Sequence, residues 1–277
     1  MKTVATPTIT APPVLDTGIE NGLKRLKLST IRRIAPELLI TAKTQRWSPE
    51  EFLRTLIEAE LIARDKSSTT NRMTLAKFPV RKTLAEFDVA ESSIPQPTHD
   101  YLVTLDWIRQ TTNLCMIGPA GTGKSHYLIA LGHAAVTAGY KVRYFTAIDL
   151  VEHLYRATAD NTVGKTIEVL CRNDLLILDE IGFAPLDHTG CQLLFRLISA
   201  AYERRSIAIG SHSPFETWGR FLPDQPTAVS LLDRLCHHAH IITTTGTSYR
   251  LRHRTGAAQK PTPRTFHGHH RRQQIGR

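Results

Sequence analysis

Long apolar runs are missing from this sequence. Nowhere do the roughly 18 consecutive apolar residues of a membrane-spanning helix occur. The opening residues, Met1-Lys2-Thr3-Val4-Ala5-Thr6-Pro7-Thr8, lack the apolar stretch of a signal peptide, so the expectation is a cytosolic (cytoplasmic) protein. Cysteine is scarce as well: Cys115, Cys171, Cys191 and Cys236 stand far apart with no C-x-x-C pair, which argues against a disulfide framework or a structural metal. Acidic residues are absent from 250–277, where eight Lys and Arg occur.

What is present is a chain of 277 residues that is 41% hydrophobic, enough for one large domain or a medium domain with a smaller companion. Its net charge of +10 is divided unevenly. Residues 21–82 carry fourteen Lys and Arg against six Asp and Glu, whereas 83–249 carry twelve against seventeen. Basic flanks on an acidic middle are a plausible footprint for nucleic acid, with solvated helix faces and a loose tail as the plain alternative.

The stretch Gly118-Pro119-Ala120-Gly121-Thr122-Gly123-Lys124-Ser125 fits the phosphate-binding pattern G-x-x-x-x-G-K-[ST] without a gap. An apolar run over 113–117 precedes it and reads as a buried strand. Helically spaced apolar residues (Leu128, Ile129, Leu131, Ala135) follow it. Strand, glycine loop and helix form an anion cradle: backbone N–H groups converge on phosphate oxygens and the helix N-terminus adds its dipole. Lys124 is placed to reach the β- and γ-phosphates of a nucleoside triphosphate, and Ser125 to hold Mg²⁺.

Around this loop the chain divides. Residues 1–20, rich in Thr and Pro, read as a disordered arm. Residues 21–82 read as a small all-helical domain of about four segments. Ser48-Pro49-Glu50-Glu51 starts one helix, which places Phe52, Leu53, Leu56, Ile57 and Leu61 on one face and ends near Arg64. A further segment runs from Asn71 to Phe78. Lys24, Arg25, Lys27, Arg32 and Arg33, with Arg72, Lys77, Arg81 and Lys82, are candidate phosphate contacts for DNA. Residues 83–253 follow as the nucleotide domain, beginning with a connector at 83–97 and a helix from about Thr98 to Gln110. Residues 254–277 form a basic disordered tail. Strands at 141–145, 174–178, 206–210 and 241–242 alternate with helical stretches, which predicts an α/β core with a parallel sheet covered on both faces and ligand chemistry at the strands' carboxyl ends.

Leu175-Leu176-Ile177-Leu178-Asp179-Glu180 ends a buried strand in two carboxylates. Asp179 is placed to organise Mg²⁺ and Glu180 to orient and activate a water attacking the γ-phosphate. His212, just past the strand 206–210, either touches the γ-phosphate or its water or is an ordinary loop histidine. By chemistry alone Arg234 and Arg250 read as surface ion pairs. His237, His238 and His240 read as a cluster at a helix C-terminus, where cations are favoured, rather than as metal ligands.

Many pieces of the chain, in order, carry a resemblance. They include Leu26-Lys27-Leu28, Phe52-Leu53 and Glu58-Ala59-Glu60-Leu61, then Phe78-Pro79-Val80-Arg81-Lys82-Thr83-Leu84 and Leu105-Asp106-Trp107-Ile108. After the phosphate loop come Leu178-Asp179-Glu180-Ile181-Gly182-Phe183, Ser213-Pro214-Phe215-Glu216-Thr217-Trp218, Asp233-Arg234-Leu235 and Gly246-Thr247-Ser248-Tyr249-Arg250. From about Leu23 to Arg252 the sequence resembles the IstB-like transposition helper ATPases, relatives of the DnaC helicase loader within the AAA+ class. The resemblance implies an AAA+ P-loop core with five parallel strands in the order 5-1-4-3-2. It implies ATP with Mg²⁺, self-assembly on double-stranded DNA, and a partner transposase that carries the cutting site. It further implies that Arg234 completes a neighbour's site in trans and that Arg250 contacts nucleotide from its own chain. Where the family has Thr-Ser-Asn, this chain reads Gly210-Ser211-His212, which makes His212 the stand-in for a sensor asparagine and predicts slow, pH-sensitive hydrolysis. Ala201 replaces a frequent arginine. Two other readings share the nucleotide residues: a DnaC-like replicative helicase loader, and a non-hydrolysing, ATP-switched DNA scaffold. A P-loop GTPase is disfavoured because no N-K-x-D or T-K-x-D motif occurs.

Overall fold

The computed structural model describes residues 14–249, so the tail at 254–277 and Arg250 lie outside the described residues. Helical structure begins earlier than the sequence suggests. α1 (Thr17–Arg25) starts inside the stretch expected to be a disordered arm, because the Asp16 carboxylate accepts from Gly18 N (2.8 Å) and Ile19 N and caps the first turn.

The lead has three helices rather than four segments. α2 (Ser29–Gln45) is followed by α3 (Pro49–Ala76), one continuous helix across the expected break near Arg64. Ser48 caps α3 and Pro49 opens it, as the sequence indicates. No Gly or Pro interrupts it, and the Thr70 and Thr74 hydroxyls bond carbonyls four residues back within the helix instead of offering its backbone a break. Its far end docks on the nucleotide core: Ala76 is buried there, and the Arg143 guanidinium donates to Leu75 O at 2.7 Å. The residues 83–86 form a single 3₁₀ turn with a Thr83/Glu86 capping box. The helix expected at 98–110 is two, α4 (Gln96–Val103) and α5 (Asp106–Arg109), broken where Leu105 takes a left-handed φ of 62° and Thr104 Oγ1 receives Asp106 N.

The core alternates strand and helix: β1 (Asn113–Ile117), α6 (Lys124–Thr137), β2 (Val142–Thr146), α7 (Ala147–Ala159), α8 (Val163–Leu170), β3 (Leu175–Ile181), α9 (His188–Ala201), β4 (Ser206–Ser211), α10 (Gln225–Cys236) and β5 (Ala239–Thr243). All five strands are parallel in the order β2-β3-β4-β1-β5, the arrangement that the resemblance implies. Period-two alternation sorts the strand residues between two cores. Cys115, Leu176, Leu178, Ile207 and Ile209 face α7–α10, while Leu114, Met116, Leu175, Ile177 and Ala208 face α4–α6. The result is a parallel sheet covered on both faces, as the alternation of strands and helices implies. No helix of the described residues is long and apolar enough to cross a membrane.

Candidate nucleotide site

The phosphate loop leaves β1 at Gly118 and enters α6 at Lys124. Three glycines take left-handed backbone: Gly118 at φ 147°, Gly121 at 82° and Gly123 at 92°. A Cβ at Gly118 would lie 2.1 Å from Thr244 O, and one at Gly121 would lie 2.2 Å from Ser248 Oγ, so the loop closes against the segment after β5 only because both are glycine. Gly123 is the N-cap of α6 and supplies no side-chain cap, which leaves the first-turn N–H groups of α6 available to an anion. Lys124 is buried. Its ammonium donates to Gly118 O and Pro119 O, both at 2.7 Å, and burial pulls its pKa down while the facing Asp179 carboxylate pushes it up. A buried ammonium beside a helix N-terminus that no side chain caps fits the phosphates of a nucleoside triphosphate. Ser125 follows in the same first turn, half-buried.

Across the loop, β3 delivers Asp179, which is only 2% exposed. Its Oδ1 accepts from Glu180 N at 2.9 Å and its Oδ2 from the Tyr144 hydroxyl at 3.1 Å. Burial, and then the Asp179 charge, raise the Tyr144 pKa, so Tyr144 remains a donor. Gly210 on β4 makes room for this carboxylate, since a Cβ there would stand 2.2 Å from Asp179 Oδ1. Neither Tyr144 nor Gly210 is legible as a site residue from sequence. Nothing local marks them, and only the β2–β3–β4 pairing brings them to Asp179.

Glu180 is exposed and held at a left-handed φ of 59°, where β3 slips register against β4 between Leu178 and Ile181. Strain of this kind in a non-glycine residue, roughly 1–3 kcal/mol, persists only where its surroundings enforce it. It aligns with the neighbouring Gly182 at φ 85°, where a Cβ would crowd Phe221. On the adjacent strand the buried Ser211 hydroxyl lies 3.0 Å from Ile181 O and accepts from Ser213 N, tying the ends of β3 and β4 together. His212 follows, exposed, with its ring edge-on to Phe183 at 6.3 Å. Asp179, Glu180 and His212 thus emerge on one edge of the sheet with Gly118–Ser125.

Arg234 does not. It lies in the last turn of α10, half-buried, its guanidinium 5.0 Å from the Phe195 ring centre and donating to Ser230 O at 3.0 Å. This packing replaces the surface ion pair that chemistry alone suggests. The end of α10 is fixed at the amino edge of the sheet, since Asn113 Nδ2 donates to Leu235 O (2.9 Å) and Asn113 N to His238 O (2.7 Å). The whole of β1, about 15 Å at 3.3 Å per residue, separates that edge from the phosphate loop. Arg250 lies outside the described residues, but the chain leading to it lies on the loop. Tyr249 N donates to Gly121 O at 3.0 Å, and the Thr122 and Thr244 hydroxyls meet at 2.8 Å.

The IstB-like ATP binding protein family matches residues 21–257. Among curated relatives, an insertion sequence IS5376 putative ATP-binding protein of Geobacillus stearothermophilus is 38% identical over 76% of this chain and 84% of its own length. An insertion sequence IS21 putative ATP-binding protein of Pseudomonas aeruginosa is 33% identical over 86% of this chain and 91% of its own. The fold is similar to the crystal structure of DnaI, with a TM-score of 0.50 at 15% identity over 60% of this chain and 92% of that one, a likeness of fold alone. With the match spanning the helical lead and the whole nucleotide core, this chain belongs to the IstB-like ATP-binding protein family.

Proposed function

We propose that the chain is an ATP-dependent, DNA-binding AAA+ ATPase that oligomerises on duplex DNA and assists a partner transposase. The observation that carries the reading is the division of one constellation between two edges of the sheet. Gly118–Ser125, Asp179, Glu180 and His212 share the carboxyl edge, while the half-buried Arg234 is fixed at the amino edge, a strand's length from its own phosphate loop. An arginine so placed serves a neighbour's nucleotide, and that makes assembly a condition of hydrolysis.

In this reading, backbone N–H groups of the loop and the Lys124 ammonium bind the phosphates. Lys124 exchanges its two loop carbonyls for phosphate oxygens. Ser125 and Asp179 would hold Mg²⁺, which would supply positive charge to the phosphates. Tyr144 keeps Asp179 aimed by occupying one lone pair of Oδ2. Glu180 orients the attacking water and takes its proton, His212 donates toward the γ-phosphate, and Arg234 of the next subunit stabilises the charge that develops. Arg250, one residue beyond a segment lying on the loop in the same chain, contacts nucleotide in cis. The transposase partner is supported by the insertion-sequence context of the curated relatives. DNA contact is supported by the exposed Lys24 and Arg25 on α1, Lys27 between α1 and α2, Arg33 on α2, and Lys77 and Arg81 beyond α3.

Subunit mixing with ATP and duplex DNA tests the proposal. Glu180→Gln and Arg234→Ala should each abolish turnover alone. An equal mixture should recover activity, because a Glu180→Gln subunit still lends Arg234 to an Arg234→Ala neighbour that retains Glu180. A mixture as inactive as its parts would overturn the trans assignment. A Lys124→Ala protein that still assembles on DNA in ATP-dependent fashion would overturn the nucleotide reading.

A further inference from the structure

We propose that Glu203, His237 and His238 form a binding site for a transition-metal ion of the zinc class, at the amino edge of the sheet and separate from the Mg²⁺ residues. One ligand atom from each of the three lies within 4.8 Å of the other two. His238 Nε2 is 3.7 Å from Glu203 Oε1, and the two imidazole centres are 4.1 Å apart. Tetrahedral zinc, at about 2.0–2.1 Å to nitrogen and oxygen, places its ligands roughly 3.3 Å from one another. All three side chains are exposed, so small rotations close that gap without disturbing a core.

Two features raise this cluster above a chance surface grouping. A ligating imidazole ordinarily carries a hydrogen bond at its other nitrogen, which fixes the ring. The half-buried Tyr202 hydroxyl oxygen lies 2.8 Å from His237 Nδ1, and where it accepts from Nδ1–H the lone pair of Nε2 is left for the ion. The backbone is also fixed on both sides. Glu203 takes a left-handed φ of 55° in the turn between α9 and β4, and His238 O accepts from Asn113 N at the start of β1. Two imidazoles with one carboxylate suit Zn²⁺, Cu²⁺ or Ni²⁺ rather than Mg²⁺ or Ca²⁺, which prefer oxygen alone. Three protein ligands leave a fourth position for water or for a group from another molecule.

The consequence is mechanical. His237 stands one helical turn after Arg234, so a bound ion clamps the end of α10 to the α9–β4 turn beside that arginine. The site itself does not depend on whether Arg234 acts in trans.

Full-length protein stripped with chelator and titrated with Co²⁺ reads the site directly through the visible absorption of the four-coordinate ion. The protein should take up one equivalent with that spectrum, and Zn²⁺ should displace it. His237→Ala and His238→Ala should each lose the equivalent, and Tyr202→Phe should bind roughly tenfold more weakly. A protein carrying His267→Ala, His269→Ala and His270→Ala should keep it, which separates the site from histidines in the tail. Because the three ligands are exposed, the metal-free variants should melt at the parent's temperature. If His237→Ala with His238→Ala retains the four-coordinate spectrum, or the tail substitutions abolish it, the assignment is wrong.

Discussion

The helical lead and the nucleotide core are built on opposite economies of burial. In the core, β1, β3 and β4 are buried on both faces, and almost every apolar residue of α6 and α9 is inside. In the lead, a cluster of three buried residues, Ile31, Ala35 and Leu56, holds α1–α3 together, with Phe52, Leu23 and Leu28 only partly covered. The apolar stripe on α3 faces solvent for most of its length: Leu53, Ile57, Leu61 and Ile62 are all exposed. A polar device compensates. Glu60, 4% exposed, accepts from Thr30 N (2.8 Å) and Ile31 N (3.0 Å) at the start of α2 and pairs with Arg64, which in turn donates to Lys27 O. The comparison teaches that the core is held by area, and the lead by a small apolar cluster together with one buried carboxylate.

The largest effect should come from breaking the area. Leu176→Ala, at a fully buried position of β3, should cost about 2–5 kcal/mol and lower the melting temperature of the core and its ATPase together. Leu56→Ala should fall near the low end of that range and loosen the lead alone, seen as faster proteolysis of residues 14–76 with ATP binding retained. Equal damage to the core by Leu56→Ala would erase the distinction.

Gly210→Ala sharpens the site. The new methyl overlaps Asp179 Oδ1 and touches Leu128, which should cost about 1–3 kcal/mol and cut Mg²⁺-dependent hydrolysis more than tenfold while leaving nucleotide binding measurable. Unchanged turnover would show that Asp179 does not require its present position.

Glu60→Gln tests the lead's carboxylate and should destabilise the lead by about 1.5–3 kcal/mol, the range for hydrogen bonds to a charged group. Burial alone would raise the Glu60 pKa, but the Ile31 N–H, the Arg64 guanidinium and the Thr30 N–H outweigh it and hold the pKa below the usual carboxylate value. A depressed folded pKa means that the stabilisation is full above the unfolded value near 4.5 and is lost as pH falls through the folded one. Acidification below the unfolded value near 4.5 should therefore loosen the lead in the parent, and Glu60→Gln should flatten that acid limb, as followed by proteolysis or circular dichroism.

The smallest effect is expected at His212. His212→Asn, which restores the asparagine that the resemblance places here, should raise the hydrolysis rate. If the rate is unchanged, His212 is an ordinary loop residue.

Legibility followed locality. The phosphate loop is a contiguous pattern whose glycines must meet backbone conformations set within the loop, so Gly118–Ser125 could be read residue by residue, as could the buried strand ending in Asp179-Glu180. The order of the strands came from the resemblance, and the pairing in the structure agrees with it. The misread elements were of two kinds, one whose limit depends on a distant partner and others set by a local cap or turn. α3 runs past Arg64 because its end has the core to dock on, and α1 starts at Thr17 because one aspartate caps it. The helix before β1 breaks at Leu105, whose left-handed φ coincides with its burial beside Trp107.

By itself the sequence determined the phosphate-loop pattern, the family and the parallel α/β core, because motif spacing and hydrophobic period are properties of neighbours along the chain. Only the tertiary structure decided that Tyr144 and Gly210 shape the surroundings of Asp179, that Glu180 sits on a strained slip in β3, and that Arg234 stands at the far edge from its own loop. Those are relations between strands and helices far apart in the chain. They arise from sheet register and helix docking, which no local pattern encodes.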